Sequence, residues 1–77
     1  MRLTKANILF VKEFCMPNNR VKWAVVMKSR AMSDMRVYES PYEQLPKTVQ
    51  KFVADNPWKI VHHDNTYDIT EYIYMEV

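Results

Sequence analysis

Between residues 7 and 16 the chain reads Asn-Ile-Leu-Phe-Val-Lys-Glu-Phe-Cys-Met, and between 21 and 30 Val-Lys-Trp-Ala-Val-Val-Met-Lys-Ser-Arg. Both runs are rich in β-branched and aromatic residues, which suit a pleated, half-buried surface, so the pattern predicts two strands. Asn18-Asn19 between them predicts a tight two-residue turn, because asparagine is the best substitute for glycine where positive φ is needed. That turn sets Phe14 opposite Trp23 and Phe10 opposite Met27. Phe10, Lys12, Phe14 and Met16 then share a core face with Val21, Trp23, Val25 and Met27. The reverse face carries Leu9, Val11, Glu13 and Cys15 with Lys28, Val26, Ala24 and Lys22. Leu9, Phe10 and Val11 are consecutive and also tolerate a helical period, so residues 4–15 keep a helical alternative.

A short third strand is expected at Met35 to Glu39. Ser40-Pro41-Tyr42-Glu43 has the pattern of a capping box, with an N-cap hydroxyl, proline at the first helical position and glutamate at N3. Pro46 would clash with the carbonyl of Tyr42 in one continuous helix. A one-turn opener followed by a helix from about Pro46 to Asp55 is therefore predicted. Leu45, Val49, Phe52 and Val53 form its apolar stripe, expected to cover Phe10, Phe14 and Trp23, and Asn56-Pro57 ends it. Trp58 to His63 and Tyr67 to Met75 read as a second hairpin about Asp64-Asn65. Trp58, Ile60, His62, Tyr67, Ile69, Glu71, Ile73 and Met75 fall on one face, and Lys59, Val61, His63, Tyr72 and Tyr74 on the other. Phe10, Phe14, Trp23, Val49, Phe52, Ile60 and Ile69 are the expected core. The expected fold class is α+β. It comprises a single small domain over residues 1–77, an antiparallel sheet of two hairpins in the order β-β-(β)-α-β-β, and one helix packed on one face.

Composition narrows the function more than it names it. The chain has 77 residues and no glycine, so phosphate loops, dinucleotide-binding fingerprints and nucleophile elbows are excluded in their usual forms. A single cysteine, Cys15, points to a reduced, cytoplasmic setting. The apolar run from Ala6 to Val11 is too short for an export signal, and no run approaches the length that spans a bilayer, so no membrane role is expected.

Charge is divided along the chain. Residues 1–38 carry eight lysines and arginines against Glu13 and Asp34, while residues 39–77 carry three lysines against seven carboxylates, giving a net +2. Such halves either form a basic patch or lie side by side and neutralise one another, and the second is expected of a compact domain.

His62-His63-Asp64 is the cluster that most resembles a catalytic or metal site, but neighbours in a strand point to opposite faces, and zinc needs three or four convergent ligands. His63 is instead expected to donate to Asp64 or Asp68. Cys15 and the histidines end different hairpins. No catalytic residue, metal or cofactor is therefore expected. Met16, Met27 and Met75 read as core filler, and Met32 and Met35 as adaptable loop contacts.

The strongest functional signal is the predicted outer face, where Lys22, Lys28, Lys59, Tyr72, Tyr74, His63, Leu9, Val11 and Val26 interleave cations, rings and aliphatics. Tyr72, Tyr74, Lys22, Lys28, Lys59, Val26, Met32 and Met35 are the candidate partner-binding residues. The function expected from them is that of a small non-enzymatic accessory protein, of the kind viruses use against host factors, regulating or inhibiting another protein through its sheet surface. Binding of RNA or single-stranded DNA on the same basic, tyrosine-bearing face is the alternative, and homodimerisation by that face a further expectation.

Overall fold

The computed structural model describes residues 4–28, 36–57 and 60–76. A 3-10 turn at Lys5–Asn7 leads into β1 (Ile8–Cys15), followed by β2 (Val21–Met27), β3 (Arg36–Tyr38), a 3-10 turn at Tyr42–Gln44, α1 (Lys47–Asp55), β4 (Ile60–Asp64) and β5 (Ile69–Met75). The five strands form one antiparallel sheet in the order β3-β2-β1-β5-β4, so β1 is central. This is the expected α+β domain with one helix on its sheet. Residues 8–15 are strand, which removes the helical alternative, and the third strand is present.

The helix obeys its local signals. Pro46 stands at the N-cap, where its carbonyl accepts from Val49 and Gln50 N–H. Asn56 closes the other end, with its backbone N–H and its Nδ2 both donating to the Phe52 carbonyl. The expected capping box at Ser40 does not form, and Ser40 Oγ is buried without a partner among the described residues. Gln50 organises the segment instead. Its Nε2 donates to the carbonyls of Glu43 and Leu45, and its own carbonyl accepts from the Tyr42 hydroxyl.

The first hairpin differs from expectation by one residue. Met16 N–H bonds to the Arg20 carbonyl and Asn19 N–H to the Met16 carbonyl, so the loop holds three residues, with Asn19 left-handed at φ 62°. Phe14 therefore faces Lys22 and Val11 faces Val25. Because side chains alternate, a slip of one position moves a whole strand's set to the opposite face. Val21, Trp23 and Val25 stay toward the helix as expected, but β1 presents Val11, Glu13 and Cys15 there, and Phe10 and Phe14 turn away. An irregularity between Ile8 and Phe10 returns Ile8 to the helix side, beside Met27.

β5 follows β1. With Val11 opposite Tyr74 and Glu13 opposite Tyr72, both tyrosines face the helix, and Ile69, Glu71, Ile73 and Met75 face away. The second hairpin pairs Ile60 with Ile73 and Asp64 with Ile69 around a four-residue loop. That loop is held by Asp64 Oδ1, which accepts from Thr66 and Tyr67 N–H, and by Asp68 at φ 54°. Its displacement from the expected pairing is an even number of residues, so the expected grouping of side chains survives while the covered side is reversed.

The core joins Leu45, Val49, Phe52 and Val53 to Ile8, Val11, Trp23, Val25, Met27 and Tyr74. Trp23, Val49 and Phe52 are core as expected. Phe10, Phe14, Ile60 and Ile69 are not, for the register reason given above.

Candidate functional site

Opposite the helix, the sheet presents a face on which no other element lies among the described residues. α1 packs on the other side. There the first 3-10 turn is tied to it by a 2.8 Å Lys5–Asp55 ion pair, and the second by Gln50. The open face is built of cross-strand rows. Val26, Phe10 and Met75 form one, and Val37, Ala24, Lys12, Ile73 and Ile60 the next. Lys22, Phe14, Glu71 and His62 form the third. Val37 is 48% exposed and Ile60 39%, at opposite margins of the second row. Phe14 separates two shallow grooves, and the larger, of about 340 Å³, also touches Met16, Lys22, Ala24, Val37 and Ile69.

On this face the Lys12 charge is compensated by a carboxylate, while Lys22 makes no ion pair among the described residues. Lys12 Nζ lies 3.6 Å from Glu71 Oε1 and 5.4 Å from the centre of the Phe10 ring. More widely, Lys5–Asp55, Lys12–Glu71, Arg20–Glu39 and Lys28–Glu76 each join a cation of residues 1–38 to a carboxylate of residues 39–77. The two halves lie together and neutralise one another, as the charge pattern predicts.

Of the candidate binding residues, Lys22 is half-buried on the open face and Lys28 is exposed just beyond β2, whereas Val26 points to the open face but is only 7% exposed between its larger neighbours, a correction to its expected role. Lys59, Met32 and Met35 lie outside the described residues. Tyr72 and Tyr74 are corrections. Tyr74 is 7% exposed and stacks on Trp23 with ring centres 6.0 Å apart, and Tyr72 is half-buried against the same core. Val11, expected outside, is fully buried. The residues that sequence reasoning placed inside, Phe10, Phe14, Ile60, Ile69, Ile73 and Met75, make the open face apolar.

His62 and His63 diverge as expected. His62 stands opposite Glu71 on the open face, while His63 Nδ1 is 3.0 Å from Thr70 Oγ1 and its Nε2 3.6 Å from Asp68. Among the described residues no three potential ligands converge on a metal position. Cys15 is half-buried, and burial together with the Glu13 charge pushes its thiol pKa up, which disfavours the nucleophilic thiolate. No helix among the described residues is long and apolar enough to cross a membrane.

On the covered face, Glu13 was missed as a residue of interest. Its carboxylate accepts from the Tyr74 hydroxyl at 3.1 Å, opposite Trp23 and Tyr72, and burial raises its pKa above the usual 4.5 even though that hydrogen bond opposes the shift. In the window just above 4.5 the folded chain keeps a proton that the unfolded chain has lost. Stability attributable to Glu13 therefore falls as pH rises through that window. Glu13→Gln keeps an acceptor for Tyr74 and removes the charge. It should stabilise the protein at neutral pH and flatten this limb of the pH profile. Thermal unfolding across the window checks it, and a variant less stable at neutral pH would refute it. Asp55 acts oppositely and at lower pH, since its hydrogen bond from Lys5 holds its pKa below 3.8 and that small contribution is lost on acidification.

In comparisons with known proteins, no family model, no curated protein and no solved structure matches this chain, so the open sheet face stands on its own geometry.

Proposed function

We propose that this chain is a small non-enzymatic binding protein of the cytoplasm, a regulator or inhibitor that engages a protein partner through the open face of its sheet. The observation that carries this reading is the apolar character of that face, where Phe10, Phe14, Val37, Ile73, Ile60 and Met75, all partly or fully exposed, surround the Lys12–Glu71 ion pair. Contiguous apolar surface marks interaction sites, and partly exposed aromatic rings such as Phe14 beside a groove are the usual anchors of a protein interface. Nucleic acid is the less favoured partner, because four of the cations of residues 1–38 are occupied by carboxylates, which weakens the phosphate attraction that such binding needs.

The test is capture by the immobilised chain from nuclease-treated lysate, with Phe14→Ser as the comparison. A central anchor is worth at least about 2 kcal/mol of binding, so capture of a specific protein should weaken roughly thirtyfold while circular dichroism remains that of the folded chain. Equal capture by the folded variant would remove the open face from the reading. Loss of all capture on nuclease treatment would transfer the function to nucleic acid.

A further inference from the structure

We infer that the open sheet face is capped by a second copy of this chain in a two-fold dimer, so that self-association competes with any other protein for the same surface. This rests on the reading of the open face as the binding surface and names its resident occupant.

Extent is the first argument. Strands about 4.8 Å apart rising about 3.3 Å per residue give these five strands a footprint of roughly 500 Å². Two such faces together reach about 1,000 Å², the level at which a specific interface becomes credible. A chain of this size buries only about 60% of its unfolded surface by itself, so closing a second layer adds a large share of the burial available to it.

Charge is the second argument. An isologous interface sets each patch against its own copy, so a face of one sign would repel itself. Here Lys12, on the central strand, is already neutralised by Glu71 on the adjoining strand. Two such pairs meeting near a two-fold axis alternate in sign, and their desolvation fixes one register among the many that apolar contacts alone would allow. Lys22 and His62 close the two ends of the third row, at the periphery where solvent remains. Aligned packing of two sheets about 10 Å apart then gives a four-layer helix-sheet-sheet-helix particle.

The inference is tested by sedimentation equilibrium of the intact chain from micromolar to submillimolar concentration. The expected result is a reversible monomer–dimer equilibrium based on the 9.3 kDa chain. Val37→Lys with Ile60→Lys, both at exposed margins of the face, should weaken it at least tenfold without changing the circular dichroism of the monomer. A dimer indifferent to these substitutions overturns the inference, because the copies then meet elsewhere. A chain that stays monomeric also overturns it. Capture of another protein that remains sensitive to Phe14→Ser leaves the binding reading standing whatever the oligomeric state, and capture insensitive to it removes that reading while sedimentation alone decides the dimer.

Discussion

Phe52→Ala should lower the melting temperature by more than about 10 °C, or leave much of the population unfolded at room temperature. Phe52 is fully buried where α1 meets the sheet, within the cluster that contains Val49, Trp23 and Val25. Deleting a buried phenylalanine ring costs about 3–5 kcal/mol through lost transfer energy and an unfilled cavity, against a total of about 5–15 kcal/mol for typical domains. The helix has only nine residues and is marginal alone in water, so its order depends on this contact. Lys51→Ala, at an exposed position of the same helix, provides the control and should change stability by no more than about 0.5 kcal/mol. Thermal unfolding followed by circular dichroism measures both. Equal transitions for the two variants would mean that α1 does not anchor the core.

Tyr74→Ala should be nearly as damaging, at about 3 kcal/mol, although the sequence placed this ring on an exposed face. The substitution removes a ring stacked on Trp23 and also the hydroxyl that donates to Glu13. Tyr74→Phe separates the two effects. It keeps the ring and strips the half-buried carboxylate of its donor, so a cost of about 1–2 kcal/mol is expected, larger on the high-pH side of the Glu13 titration than on the low-pH side. Binding through the open face should be unchanged in the folded fraction of either variant, since Tyr74 lies on the other side of the sheet. Weakened binding by Tyr74→Phe with unaltered stability would contradict the placement of the ring.

Local rules carried the elements. The proline at 46, the stripe of Leu45, Val49, Phe52 and Val53, and the Asn56-Pro57 stop specify α1 without reference to the sheet. The β-branched and aromatic runs likewise specify the strands, and the division of charge anticipates the ion pairs that join the two halves. These signals are short-range or additive, so they survive being read along a line.

Sidedness does not survive that reading. Both faces of β1 carry large apolar groups, Phe10 and Phe14 on one and Ile8 and Val11 on the other, so hydrophobicity alone does not choose between them. The choice depends on whether the turn at Pro17-Asn18-Asn19 holds two residues or three. Proline at the second position of a turn followed by a left-handed asparagine fits the three-residue form, a preference already present in the Pro17-Asn18-Asn19 sequence. One residue there inverts β1 relative to β2, and hydrogen bonding of β5 to β1 carries the inversion to Tyr72, Tyr74 and the second hairpin. The sequence by itself determined an α+β domain with its helix, its strands and its paired charges. Only the tertiary structure decided which side of the sheet the helix covers, and hence which apolar residues are left facing outward, because that choice is made by register between strands distant in sequence and not by any residue's own preference.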